Sequence, residues 1–171
     1  AHAAVLAIPD LRAEVIERGQ AYGYILLERI QREPDGEHEI ELASGGLLLD
    51  LTCLHSADGA PLALEHRLIA LGAAPQAIDV DFHTVPPGSW LLDSAPWTEA
   101  ENRISAIAAD ARAARLLELK PGAACLCVER RTWRDGQGVT RVWQTFPGDR
   151  YDLVARFSSA HSPVLAKEPR R

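Results

Sequence analysis

The chain reads as an α+β domain built on an antiparallel sheet of about six strands with short flanking helices. Two observations point there. Strand-like runs come in pairs joined by Asp-Gly turns rather than alternating with long helical stretches, which favours hairpins over βαβ units. The helical signals are short and carry their own start and stop residues. A length of 171 residues suits one domain, and 47% hydrophobic with 25% charged residues is ordinary globular composition.

Taken in order, Asp10 caps a helix over "DLRAEVIERG" that Gly19 stops. "YGYILLERIQ", about residues 22–32, has the aromatic and β-branched character of a strand. "PDGEHEIELASGG" reads as a turn with one or two helical turns ending at Gly45 and Gly46. "LLLDLTCLH" and "APLALEHRLIAL" form a first hairpin around Asp58-Gly59. From Gly72 to Pro96 the Pro and Gly content predicts short helices and loops, with "GSW" at 88–90 in a loop. "WTEAENRISAIAAD" is a strand, Asp110 caps "ARAARLLEL", and Pro121-Gly122 closes that helix. "ACLCVERRTWR" and "VTRVWQTF" flank the turn "DGQG" as a second hairpin, and "RYDLVARFS" is expected to be a last strand. Residues 1–9 read as a linker remnant and 159–171 as a disordered tail.

Composition excludes several functions. A net charge of −6 with dispersed arginines gives no basic face for a nucleic-acid duplex. No stretch approaches the ~18 apolar residues of a membrane span, and no signal peptide is visible, so a reduced cytoplasmic setting is expected. Three cysteines do not make a disulfide framework; Cys125 and Cys127 share one strand face without a second ligand pair for zinc, and core packing suits them better. No His-x-x-x-His spacing, Gly-x-Ser-x-Gly elbow or phosphate loop appears, so no metal, cofactor or catalytic machinery is expected.

The first hairpin is less bland. Cys53 and His55 alternate on one strand, and Ala63, Glu65 and Arg67 on the other. A two-residue Asp58-Gly59 turn pairs His55 with Leu62 and sends Glu65 to the opposite face. A three-residue Ala57-Asp58-Gly59 loop pairs His55 with Pro61, and His55 then faces the same way as Glu65. Asp-Gly is compatible with both. In the second register the pair could meet a small polar ligand, with Arg67 adding positive charge; in the first, Glu65 and Arg67 are a weak surface pair.

"RISAIAADARAARLLELKPGAACLCVERRTW", then "FPGDRYDLVARF", preceded by "CLHSADGAPLALEHR", resembles the effector-binding (UTRA) domain of GntR-superfamily transcription regulators over about residues 10–158. Within it, "TCLH", "LALEHR", "TVPPGSWLL", "AENRISAIAADAR" and "PGDRY" are most similar to the HutC, histidine-utilisation type. The resemblance implies a chorismate-lyase-like fold, a homodimer, and a small effector of the urocanate kind. Other branches take sugar phosphates and place arginines near the positions of Cys53 and His55, which this sequence lacks. The resemblance carries His55 and Glu65 over as ligand positions. Arg67 or Arg103 could then meet a carboxylate; Tyr22, Trp97 and Tyr151 could wall a planar ligand, and Thr98 lies in a family-like segment. Asn102 stands where similar members often carry His, and "GDRY" could simply fix a turn. Such regulators bind DNA through a winged helix-turn-helix domain that this sequence does not contain. The competing implications are a chorismate-lyase-like enzyme, or a UTRA domain sensing another anionic metabolite such as a sugar acid.

Overall fold

In the computed structural model, residues 10–154, 156, 158 and 159 are described. The two ends assigned above to a linker (1–9) and to a tail (159–171) therefore lie almost wholly outside the described residues. The elements are α1 (Leu11–Glu17), β1 (Tyr22–Arg32), α2 (Glu37–Ala43), β2 (Leu48–Ala57), β3 (Ala60–Ala70), a 3-10 turn (Pro75–Asp79), α3 (Pro87–Ser94), β4 (Glu99–Ala108), α4 (Ala111–Leu116), β5 (Ala124–Arg134) and β6 (Gln137–Pro147). The strands form one sheet in the order β1-β2-β3-β6-β5-β4, antiparallel at every pairing. The α+β class expected from the hairpins is the one observed. Among the described residues no helix is long and apolar enough to cross a membrane.

The local signals work as chemistry predicts. Asp10 accepts from the Arg12 backbone N–H at 3.4 Å and Asp110 from that of Ala113 at 2.8 Å, supplying partners for orphan donors at the starts of α1 and α4. Both hairpins turn on Asp-Gly pairs with positive φ, Asp58 and Gly59 in one, Asp135 and Gly136 in the other. That backbone matches the right-handed twist of the flanking strands. The second turn is thus the two residues Asp135-Gly136, shorter than "DGQG".

Three expectations are corrected. Neither anticipated register of the first hairpin occurs. The turn is two residues, with Ala57 opposite Ala60 and Ser56 opposite Pro61, but a bulge follows and His55 pairs with Ala63. Leu62 is the extra residue; its side chain is buried with Leu11, Val15 and Phe146. Second, residues 88–90 lie in α3, where Pro87 suits the first helical turn. Third, Arg150–Val154 form no strand. β6 is already flanked by β3 and β5, so this segment finds no free ladder beside it. Tyr151 stacks on Phe146 instead, with ring centroids 3.8 Å apart.

One sheet face is covered by α1, the 3-10 turn and α3, over Leu49, Leu51, Ile69, Phe82 and Leu91 toward one side and Leu11, Val15, Ala63 and Phe146 toward the other. The opposite face carries α2 over Leu48 and Leu68, and α4 over Cys125. Cys125 and Cys127 are both buried.

Candidate ligand-binding site

Strand pairing across the first face lays out two rows of side chains. Glu65 stands between Cys53 on β2 and Gln144 on β6, and Gln144 opposes Val128 on β5. The next row runs Leu51, Arg67, Val142, Arg130 and Asn102. The bulge at Leu62 puts Glu65 and Arg67 on this covered face with His55. Between these rows and α3 lies a cavity of about 60 Å³. Its walls include His55, Glu65, Arg67, Arg130, Thr132, Thr140 and Gln144 from the sheet, Gly88 and Leu91 from α3, and Asp10 and Trp97.

Glu65 is the centre of the polar network. It is 1% exposed, His55 3% and Arg67 6%, so three ionisable groups sit where water is excluded. One carboxylate oxygen, Oε1, lies 3.2 Å from His55 Nε2 and accepts from Gln144 Nε2 at 2.9 Å; Oε2 accepts from Arg67 Nε at 3.1 Å. Burial alone would raise the pKa of Glu65. The Arg67 charge and the bonds from His55 and Arg67 outweigh it and hold the carboxyl well below the usual range. His55 is engaged on both ring nitrogens, because Tyr22 Oη lies 2.8 Å from Nδ1. Burial pushes the Cys53 thiol beside Glu65 up to about 12, so it is a neutral neighbour of the carboxylate.

A second guanidinium faces the same space. Arg130 donates from Nε to Asn102 Oδ1 at 2.9 Å. Burial, and then the like charge of Arg67, lower its proton affinity. Two cations, Arg67 and Arg130, share this cavity with two carboxylates, Glu65 and Asp10, and the planar guanidinium groups suit an anionic ligand group. Gly88 belongs to this site: a Cβ there would lie 3.3 Å from Arg67 Nη2, so glycine lets α3 approach the guanidinium. Across the mouth, Ser89 Oγ donates to Asp10 Oδ2 at 2.7 Å, tying α3 to the start of α1.

Of the residues singled out in the sequence, His55, Glu65, Arg67 and Trp97 are brought together at the cavity. The others are placed elsewhere. Arg103 is exposed on the opposite face, where strand alternation puts it opposite Glu129, and Arg130 takes the place imagined for it. Thr98 bonds the Trp133 carbonyl and accepts from the Asp135 N–H, bracing the second hairpin. Tyr151 donates to Glu14 Oε2 at 3.2 Å, away from the cavity. Tyr22 bonds His55 Nδ1 and does not line the cavity. Arg130, Gln144, Thr132 and Thr140 were missed. Strand parity held a signal for Arg130, since Val128, Arg130 and Thr132 alternate onto the face opposite Arg131.

Residues 17–152 match the UTRA domain family. The chain belongs to that family. This UTRA domain is 29% identical over 157 residues to a histidine utilization repressor of Pseudomonas putida, covering 91% of this chain and 63% of the relative. A second histidine utilization repressor, from Klebsiella aerogenes, is 27% identical, with 91% and 66% covered. The UTRA domain thus spans less than two thirds of the length of these curated relatives. Among solved structures, the C-terminal domain of the histidine utilization repressor from Pseudomonas syringae pv. tomato superposes with a TM-score of 0.73 at 28% identity, covering 81% of this chain and 99% of that one. The effector domain of PhnF from Mycobacterium smegmatis superposes at 0.77 with 18% identity, covering 88% and 95%, and shares the fold.

Proposed function

We propose that this UTRA domain is the effector-binding and dimerisation domain of a bacterial transcriptional repressor, and that its effector is a flat imidazole acid of the urocanate type. The observation that carries the reading is the pairing, in one cavity, of a buried ionised carboxylate with two guanidinium groups. Urocanate has an imidazole N–H at one end and a carboxylate at the other. The N–H suits Glu65 Oε2, which accepts from Arg67 alone among the described residues. The carboxylate suits Arg130 and the terminal nitrogens of Arg67, and Trp97, 43% exposed at the rim, can cover the planar ring. That the relatives are histidine utilization repressors supports the effector class and a regulator rather than an enzyme.

At about 60 Å³ the cavity holds roughly two waters, far below the ~300 Å³ of ordinary ligand pockets. A ligand is therefore admitted by movement of α3, and the Asp10–Ser89 bond carries that movement to the start of α1. In an intact regulator this biases DNA-binding arms, which belong to a winged helix-turn-helix domain outside this sequence. A cytoplasmic setting goes with that role.

Dimerisation is supported by the edge strand β4. Residues Arg103–Ala108 are exposed on both faces of the sheet, and Ile104–Ala109 carry no charge, proline or bulge. The other edge, β1, has a bulge near Leu27 and folds Arg29 onto the carbonyls of Val80 and Ile78. Only β4 lacks such protection against pairing.

A second reading, a sugar acid as effector, draws on Thr132, Thr140 and Gln144, whose hydroxyls and amide could meet sugar hydroxyls. Calorimetric titration with urocanate tests the first reading. Saturable heat with one site per chain and a rise in Tm is expected; no heat and no Tm change at millimolar ligand would remove the imidazole-acid assignment.

A further inference from the structure

We infer that Tyr22 is a positioning residue for this cavity: its hydroxyl holds the His55 imidazole in the orientation that occupies Glu65 Oε1, which leaves Oε2 as the acceptor for an N–H of the ligand. The ligand half of this rests on the imidazole-acid reading above; the positioning half stands on geometry alone.

Three groups form a chain. Tyr22 Oη is 2.8 Å from His55 Nδ1, and His55 Nε2 is 3.2 Å from Glu65 Oε1. An ionised carboxylate only accepts, so Nε2 must carry the proton. Nδ1 is then free to accept, and the Tyr22 hydroxyl donates to it. The phenol keeps its proton for this purpose, because burial and then the Glu65 charge raise its pKa.

The consequence is that His55 offers a ligand no polar atom. Glu65 Oε1 is occupied by His55 and Gln144, which leaves capacity on Oε2 as the acceptor turned to the ligand. Tyr24 cannot replace Tyr22. Its hydroxyl donates to the Phe82 carbonyl at 2.6 Å and lies 3.4 Å from Cys53 Sγ. Without the Tyr22 hydroxyl, the buried Nδ1 loses its donor, the imidazole is released to turn, and Glu65 loses its fixed partner.

The test uses the whole chain, Tyr22→Phe, and ¹⁵N-histidine NMR with the His55 signals assigned by difference against His55→Gln. In the parent, His55 should show a protonated Nε2 and a bare, hydrogen-bonded Nδ1. In Tyr22→Phe the Nδ1 signal should move, while Tm confirms folding. Urocanate binding should weaken ~10-fold, the scale of one unsatisfied buried acceptor. Binding of cinnamate, the same acid with phenyl in place of imidazole, should not change. Unmoved His55 nitrogens, or equal losses for both acids, would overturn the proposal. If the parent binds neither acid, the imidazole-acid reading fails and the nitrogen signals alone decide the role of Tyr22.

Discussion

Cys53 stands directly opposite Glu65 in the β2–β3 ladder, and the bulge at Leu62 puts it there. One extra residue on β3 shifts every later pairing by one, and in a strand a shift of one exchanges the two faces. Without it Glu65 and Arg67 would leave the face that carries His55. The bulge therefore determines the charge content of the cavity.

The first prediction concerns acid stability. Glu65 titrates near ~4.3 when unfolded and well below that when folded, so its contribution is fully present above ~4.3 and declines as pH falls below it. Glu65→Gln should cost about 3 kcal/mol at pH 7, because Arg67 is left buried without its counter-charge. It should also flatten the loss of stability below pH ~4.3. Part of the slope will remain, since Arg32 holds Glu39 low, and at Asp50 burial is outweighed by His66 and Arg32. Denaturant unfolding of both proteins across acid pH measures this; identical slopes would contradict the assignment.

Gly88→Ala separates stability from binding. An alanine is favoured over glycine in a helix by about 1 kcal/mol, so Tm should hold or rise. Its Cβ would press on Arg67 Nη2, and urocanate affinity should fall about tenfold, the scale of one charge-assisted hydrogen bond. Calorimetry and a thermal melt on the same sample check both halves. Unchanged affinity would mean that Arg67 yields without consequence.

Arginine substitutions test which guanidinium matters. Arg130→Ala should weaken urocanate binding by about tenfold or more. Arg103→Ala should leave it unchanged, because Arg103 lies on the other face of the sheet. Equal effects would contradict the placement.

Much of this was legible in the sequence. Caps, Asp-Gly turns and alternation located all six strands to within about two residues at each end, because each signal is local. The bulge was not legible, since Leu62 leaves the ladder in order to pack against Leu11 and Phe146, contacts that depend on α1. Nor was the β3–β6 neighbourhood that brings Gln144 to Glu65 across a separation of 79 residues. The supposed last strand failed for a similar reason: its pattern suits a strand, but the sheet has no vacant neighbour there. Arg103 and Arg130 show how parity decides a role, with adjacent strands sending similar arginines to opposite faces.

The dimer edge makes a further prediction. Ile104→Lys with Ile107→Lys should shift the chain to monomer in light scattering, while Ile25→Lys on β1 should not. Charges on an unprotected edge block strand addition. A dimer that survives the double substitution would place the interface elsewhere.

The most direct measurement compares urocanate with cinnamate by calorimetry on the parent chain. If Glu65 is the acceptor and the arginines the anion site, urocanate should bind at least ~100-fold more tightly, because a site built to receive an N–H rejects the analogue that lacks it. Equal affinities, or binding of neither acid, would contradict the central claim.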